Sequence, residues 1–177
     1  MRYIFDIETT GLASIEKNYA SVDEVLINKI VCITVLDVDG TKEPITFTGW
    51  DEAKILRDFW KQIENAEELI GFNVDFDLGF LFTNSLVNKV PIALRVKDKF
   101  VKITDLRHRI NPYNYKATGR LKDFASIIGI KVETSSGSFM PMLYKDGKFD
   151  EIKKHCEEDV LVTYKLWQSC KECNLVS

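Results

Sequence analysis

Hydrophobic residues along this chain are grouped in two ways, as short runs rich in β-branched and aromatic residues and as longer stretches with helical spacing. The short runs predict strands, because such residues favour the pleated, half-buried surface of a sheet. The predicted strands cover Arg2 to Ile7, Lys29 to Val38, Pro44 to Gly49, Leu69 to Phe72 and Lys99 to Thr104. Asp39 and Gly40 form a tight-turn signal after the second strand, so we expect an antiparallel hairpin there.

The longer stretches predict helices, since their apolar residues recur at the spacing of one helix face. These helices cover Asp51 to Glu64, with Asp51 as N-cap, Asp75 to Val87, Arg120 to Ile128, and Glu151 to Cys170. Thr134 to Gly137 is the most loop-like stretch. Strands and helices in this order predict one α/β layered domain over residues 1–177, with an antiparallel hairpin at its start.

Composition and the distribution of apolar residues indicate where in the cell we expect the protein. With 45% hydrophobic and 29% charged residues, the chain resembles soluble globular domains and not disordered segments. No apolar run approaches the roughly 18 residues that span a membrane. Acidic residues at Asp6 and Glu8 argue against a signal peptide, so we expect a cytoplasmic protein with no membrane partner.

Cysteines and net charge narrow the chemistry further. The Cys170 and Cys173 pair lacks a second ligand pair at the usual zinc spacing, so we expect reduced, structural thiols. A net charge of −3 argues against tight binding of long duplex DNA, which usually requires a basic surface. The same charge suits an enzyme that holds a few nucleotides and recruits divalent cations.

Two carboxylates lie side by side on the first predicted strand. Because side chains alternate between the faces of a strand, Asp6 and Glu8 share the face of Ile4. Burying such close like charges costs roughly several kcal/mol unless they are neutralised. Mg²⁺ or Mn²⁺ would neutralise them, since hard oxygen ligands suit these ions. The alternative is a strand that frays at Asp6, with both acids in water.

A second pair of acids lies where the fourth predicted strand passes into a helix. Asp75 falls at the predicted helix start, where a carboxylate meets the free N–H groups and the positive end of the helix dipole. Asp77 lies between Phe76 and Leu78 in an apolar stretch, where a carboxylate needs a partner. We therefore predict Asp77 as a metal ligand and Asp75 as a cap or a solvated residue.

The last predicted helix carries three consecutive acids, of which one faces inward. On a wheel of about 100° per residue, Asp159 falls within the apolar arc, and Glu157 and Glu158 fall opposite to it. His155 lies one turn before Asp159 on the same face, where a satisfied core histidine is the structural alternative. The arc contains Ile152, Cys156, Val160, Val162, Thr163, Leu166, Trp167 and Cys170.

Four inward carboxylates, Asp6, Glu8, Asp77 and Asp159, would make a two-metal site if they converge. Such a site clamps the attacking and leaving oxygens of an in-line displacement at phosphorus. The predicted chemistry is phosphodiester hydrolysis, and His155 beside the attacking water would act as general base.

The motifs around the first three acids resemble those of the DEDD superfamily of 3′–5′ exonucleases, and the likeness covers nearly the whole chain. Asp6-x-Glu8 is similar to the first motif of this superfamily. Asn73-x-x-Phe76-Asp77 is similar to its second motif, in agreement with the choice of Asp77 over Asp75.

The third motif combines two branches of the superfamily. His155-x-x-x-Asp159 has the spacing of the tyrosine branch and the histidine of the other branch. Its Cys-x-x-Asp-Val surroundings resemble the tyrosine branch, especially stand-alone relatives of family B polymerase proofreading domains. The resemblance implies that His155 orients the attacking water or takes its proton.

The resemblance implies an α/β fold of the RNase H-like type, with a five-stranded mixed sheet flanked by helices. It implies two Mg²⁺ or Mn²⁺ ions and release of nucleoside 5′-monophosphates from the 3′ end of a single-stranded nucleic acid. By the same analogy, the residues expected to contact the terminal nucleotide are Thr9, Gly11, Leu12, Asn73 and Phe76.

Aromatic and basic residues precede the helix that is predicted from Arg120. Tyr113, Tyr115, Lys116 and Arg120 combine stacking surfaces with positive charge, which suits a single strand. An ordinary polar loop is the alternative. Asp105 follows a predicted strand, where a supporting role in the site stays open, but we do not expect it to bind metal.

Three functions remain open at this point. The leading one is an exonuclease on single-stranded DNA in proofreading or repair, with a polymerase or another replication or repair protein as partner. An exoribonuclease is the second, because discrimination depends on contacts to the 2′-OH. An inactive nucleic-acid-binding module of the same fold is the third. A strand that starts beside Met1 favours a stand-alone protein over a piece of a polymerase.

Overall fold

A mixed sheet of five strands forms the centre of the fold in the computed structural model, which describes residues 1–11, 28–112, 119–132 and 139–177. The strands are β1 (Arg2–Thr9), β2 (Ile30–Asp37), β3 (Pro44–Thr48), β4 (Glu68–Gly71) and β5 (Lys102–Asp105). The helices of these ranges are α1 (Glu52–Gln62), α2 (Val74–Val87), α3 (Leu94–Lys97), α4 (Leu106–Ile110), α5 (Leu121–Ile127), α6 (Met140–Lys145) and α7 (Phe149–Glu172). The loop predicted at Thr134 to Gly137 lies outside the described residues.

The sheet has the order β3-β2-β1-β4-β5 and confirms the predicted fold class. β1 pairs antiparallel with β2 and parallel with β4, and β4 pairs parallel with β5. β1, β4 and β5 therefore form a parallel half of the sheet, and their carboxyl ends meet at one edge. β2 and β3 pair antiparallel on either side of Asp39 and Gly40, which confirms the predicted hairpin. β1 pairs Asp6 with Thr34 and Glu8 with Cys32 of β2, and the register shifts between Glu8 and Thr9.

β1 separates two hydrophobic layers, as its alternating pattern predicts. Tyr3, Phe5 and Ile7 pack into the layer that contains α1 and α2. Ile4 packs into the opposite layer, against Val160 of α7 and its neighbours. The face that carries the two acids is therefore the face covered by the longest helix.

Helices α1 and α7 follow the predicted patterns closely. The Asp51 side chain accepts a hydrogen bond from the Lys54 N–H at 2.9 Å, so it caps α1 as predicted. The apolar residues and Thr163 of the predicted arc are buried together with His155, and Asp159 is half-buried. The helix extends beyond both predicted ends, from Phe149 to Glu172.

The structure corrects the positions of Glu157 and Glu158 and the predicted start of α2. The wheel places both glutamates on the solvent side, but both are half-buried. Oε1 of Glu157 accepts a hydrogen bond from the Thr46 hydroxyl at 2.7 Å. The neighbouring edge strand β3, which a wheel ignores, covers that side of α7. Helix α2 starts one residue before Asp75, which is exposed, and Asn73 is its N-cap. The short helices α3, α4 and α6 were not predicted.

Two further findings concern the membrane and the thiols. Within the described ranges, no helix is both long and apolar enough to cross a bilayer. The four cysteines are free thiols, and Cys173 is exposed whereas the other three are buried.

Replacing Phe59 tests the layer beneath β1. Its side chain is 0% exposed and its ring lies 5.9 Å from that of Phe5. We expect Phe59→Ala to lower the free energy of unfolding by about 3–5 kcal/mol, because it leaves a cavity that the layer cannot close. Urea denaturation measures this loss. Leu86→Ala, at a position 78% exposed, should change it by less than about 0.5 kcal/mol, and equal losses would contradict the assignment of the core.

Candidate active site

Asp6 and Glu8 lie on the last half of β1, on the face that α7 covers. Their placement follows from strand alternation, because Ile4 on the same face is fully buried against α7. Glu8 is 8% exposed and Asp6 is half-buried. The alternative of a frayed strand with solvated acids is wrong, since β1 continues to Thr9.

His155 and Asp159 reach the same place from α7, one turn apart. The Nδ1 atom of His155 lies 2.7 Å from Oε1 of Glu8 and 3.6 Å from Oδ2 of Asp159. One ligand atom from each of these three residues lies within 4.8 Å of the others. The imidazole is 5% exposed, so the histidine is part of a buried polar cluster.

Asp77 joins this cluster from the first turn of α2. Its side chain is 6% exposed, whereas Asp75 is exposed, as the sequence analysis predicts. Burial raises the pKa of Asp77 well above its usual value, although the N–H groups of Asp77 itself and of Ile7 oppose this. The charge of Asp77 in turn raises the pKa of Asp6, which places the two carboxylates in one electrostatic environment.

The shared environment raises the pKa values of Asp6 and Asp159. Burial raises the pKa of Asp6 well above 3.8, and the charges of Asp77, Asp159 and Glu8 raise it further. Burial also raises the pKa of Asp159 to about 6, against the opposing charge of His155. Lys122 of α5 lowers this pKa as well, so a cation that sequence reasoning missed lies near the cluster. Carboxylates that resist ionisation in this way need a positive partner.

The donor set fits a divalent cation. The Oδ1 atom of Asp159 is buried and accepts no hydrogen bond from the residues that the structure describes. Carboxylate oxygens are the ligands that Mg²⁺ and Mn²⁺ prefer, and an imidazole nitrogen is compatible with Mn²⁺. Glu8, His155 and Asp159 already present such atoms at close range, and a cation among these groups would relieve the repulsion that burial produces.

A thiol also contacts the cluster, and sequence reasoning did not find it. The Sγ atom of Cys156 lies 3.5 Å from the Asp6 carbonyl oxygen and 3.7 Å from its Oδ2. Cys156 follows His155 on the buried face of α7, and that adjacency is the only signal the sequence contains. Asp105, which the sequence analysis did not expect to bind metal, has both oxygens engaged with backbone N–H groups.

Some of the residues predicted to contact a nucleotide lie in the described ranges, and others lie outside them. The Thr9 hydroxyl donates to the Gly11 carbonyl at 3.1 Å, and a Cβ on Gly11 would collide with the Asn28 side chain. Phe76 is half-buried, with its ring 4.9 Å from that of Phe80. Asn73 forms the start of α2, and Arg120 precedes α5, where its N–H donates to Asp123 at 2.7 Å. The other predicted residues lie outside the described ranges, namely Leu12, Tyr113, Tyr115 and Lys116.

The raised pKa of Asp159 predicts how stability depends on pH in the absence of metal. A carboxyl group whose folded pKa is raised favours the folded state when it is protonated, and this contribution is lost as pH rises from about 4 to about 6. At pH 7.5 in EDTA, Asp159→Asn should therefore unfold at a higher temperature than the wild type. The difference should shrink by pH 4.5, and thermal unfolding across this range measures it.

The control for this prediction is Asp75→Asn, on the exposed side of α2. Asp75→Asn should change the unfolding temperature only slightly, and by the same amount at pH 4.5 and at pH 7.5. A wild type that is more stable than Asp159→Asn at pH 7.5 without metal would contradict the proposed repulsion.

Comparison with known proteins gives three findings. A family model described as a predicted 3′–5′ exonuclease related to the exonuclease domain of PolB matches residues 23–174. That range includes Asp77, His155 and Asp159, and β1 with Asp6 and Glu8 lies just before it. An uncharacterized protein of Methanocaldococcus jannaschii is 31% identical over 188 residues, which cover 98% of this chain and 97% of the relative.

A solved structure with the same fold is the family B DNA polymerase of the hyperthermophilic archaeon Pyrobaculum calidifontis. The match has a TM-score of 0.72 at 18% sequence identity. It covers 96% of this chain but only 24% of the polymerase chain. The likeness therefore concerns the fold of one part of that polymerase.

Proposed function

Because the chain belongs to the family of predicted 3′–5′ exonucleases related to the exonuclease domain of PolB, we propose that it shortens single-stranded DNA from the 3′ end. The reaction is metal-dependent hydrolysis of the terminal phosphodiester, which releases nucleoside 5′-monophosphates. The observation that carries this proposal is the convergence of Asp6, Glu8, Asp77 and Asp159, whose burial and mutual repulsion favour divalent cations. A purely structural role offers no reason to gather four acids with so little access to water.

The four carboxylates are the proposed ligands of two Mg²⁺ or Mn²⁺ ions. When bound, a metal pair supplies Lewis-acid stabilisation of the phosphate and a water of lowered pKa. Glu8 and Asp159 lie around His155, whereas Asp77 lies on α2 in the other layer, and its charge raises the pKa of Asp6. These residues would hold the metal ions, and through them the reacting phosphate, at the carboxyl end of β1.

His155 is the proposed proton acceptor. Its Nδ1 atom faces the carboxylates of Glu8 and Asp159, which hold the ring and stabilise its protonated form. Nε2 would then take the proton of the attacking water as its oxygen bonds to phosphorus and the bond to the 3′ oxygen breaks. Solvent water supplies the proton that the departing 3′ oxygen requires.

Single-stranded DNA is the proposed substrate because the family is related to the exonuclease domain of a DNA polymerase. The proposed contacts to the terminal nucleotide come from Thr9, Gly11, Leu12, Asn73 and Phe76. Tyr115, Lys116 and Arg120 are the proposed contacts to the strand that follows, through stacking and positive charge.

A direct assay uses DNA and RNA of matched sequence, labelled at the 5′ end, with Mg²⁺ or Mn²⁺. We expect a ladder that shortens from the 3′ end of the DNA, is abolished by EDTA and falls to background in Asp6→Ala/Glu8→Ala. Asp75→Asn should retain wild-type activity, since its carboxylate is exposed two positions from Asp77. Faster loss of RNA would make the protein an exoribonuclease. Failure of folded protein to cleave either substrate would favour the inactive binding module.

The role of His155 predicts a different defect from that of the acids. His155→Gln should lower kcat by about 10²- to 10⁴-fold, the usual contribution of a general base. Metal affinity, measured by titration calorimetry, should fall much less than in Asp6→Ala. The acidic limb of the pH–rate profile should also be lost. A variant that keeps wild-type kcat and an unchanged profile would restrict His155 to a structural role.

A further inference from the structure

Helix α2, which carries Asp77, starts without a capping side chain of its own. Its N-cap residue Asn73 has φ 64° and ψ 42°, and its side chain makes no capping hydrogen bond. The first N–H groups of a helix have no partner within the helix and need an acceptor from elsewhere. A non-glycine residue in the left-handed region also carries a conformational cost, so the surrounding structure must hold it there.

Asp105 supplies the missing acceptor from the neighbouring strand. β4 and β5 are parallel, and Gly71 pairs with Asp105 at their carboxyl ends. Oδ1 of Asp105 accepts the Asn73 N–H at 3.0 Å, and Oδ2 accepts the Val74 N–H at 3.0 Å. Oδ1 also accepts the Arg107 N–H at 2.9 Å. One carboxylate, 8% exposed, therefore caps the starts of both α2 and α4.

A side-chain hydrogen bond from Arg107 also links the starts of α2 and α4. Its Nη1 atom donates to Oδ1 of Asn73 at 3.0 Å, and the arginine is only 9% exposed. This bond assigns the Asn73 carbonyl oxygen to Arg107 and leaves the NH₂ group as the donor that Asn73 can offer to a ligand. The backbone and the side chain of Asn73 are thus both held by α4 and its cap.

Asp77 lies four residues after Asn73, in the first turn of α2. The direction of its side chain depends on the axis and rotation of that turn, because side-chain direction in a helix follows the backbone. The backbone of this turn is anchored by Asp105 at the N–H groups of Asn73 and Val74. We therefore expect a distortion at the cap to displace the Asp77 carboxylate.

We propose that Asp105 is a positioning residue that aims Asp77 at the metal site, with Arg107 as its auxiliary. This role rests on the proposed function of the site. Asp105 is not itself a ligand, because both of its oxygens accept backbone hydrogen bonds. Removing groups that orient a metal ligand typically weakens metal binding or activity by about 10- to 100-fold.

The test compares Asp105→Asn with Asp51→Asn in Mn²⁺ titrations followed by electron paramagnetic resonance. The asparagine keeps the size of Asp105 but replaces one acceptor oxygen by a donor. Asp51 is the matched control, since it also caps a helix through a backbone N–H at 2.9 Å, on α1. We expect about 10- to 100-fold weaker Mn²⁺ binding in Asp105→Asn, wild-type affinity in Asp51→Asn, and partial recovery of cleavage by Asp105→Asn at high Mn²⁺.

A second variant covers the case in which Asp105→Asn does not fold. Arg107→Met removes the bond to the Asn73 side chain but keeps the backbone N–H that Asp105 accepts. It should weaken Mn²⁺ binding by a smaller factor than Asp105→Asn, and circular dichroism should show that the helices are retained.

The outcomes separate the two proposals. A wild type that binds Mn²⁺, with unchanged affinity in both Asp105→Asn and Arg107→Met, overturns the positioning role and leaves the proposed function intact. Equal weakening in Asp105→Asn and Asp51→Asn also overturns it, because a general loss of stability would explain both. A wild type that binds no Mn²⁺ overturns the proposed function, and the positioning role with it.

Discussion

Repulsion among carboxylates in one buried corner of the sheet is the constraint on which the rest of this structure depends. Burial and the neighbouring charges raise the pKa of Asp6 well above its usual value, so the folded chain holds these groups at a cost. The two hydrophobic layers on either side of β1 offset that cost, with fully buried residues such as Ile4 and Phe59. A stable scaffold around a destabilised site is the usual arrangement of an enzyme, since function and not stability selects the site.

The parallel half of the sheet explains how distant parts of the chain reach that corner. β1, β4 and β5 run in one direction, so the residues that follow them meet at one edge. β1 ends in the Asp6 and Glu8 pair, β4 leads into the helix of Asp77, and β5 ends in Asp105. Helix α7 closes the corner from the face of β1 and brings His155 and Asp159 to Glu8.

Local periodicity was sufficient to predict much of this arrangement. Alternation along β1 predicted the shared face of Asp6 and Glu8, and the wheel of α7 predicted the buried side of Asp159. Pairings between distant residues were not predictable, because no periodic pattern encodes them. Asp105 caps a helix start 31 and 32 residues away, and Cys156 contacts Asp6 over 150 residues. Glu157 was misplaced for the same reason, since a wheel does not include the strand that covers it.

The pairing of α7 with β1 has a mechanical consequence. The contacts of the helix with the strand extend from His155 on Glu8, near the end of β1, to Trp167 beneath the Arg2 guanidinium, at its start. His155 and Trp167 are about 18 Å apart along the helix axis. Because both contacts belong to one continuous helix, a tilt of its axis at the Arg2 and Trp167 contact would also displace the imidazole. The geometry around His155 is thus set partly at the opposite end of the domain, by a cation resting on an indole ring.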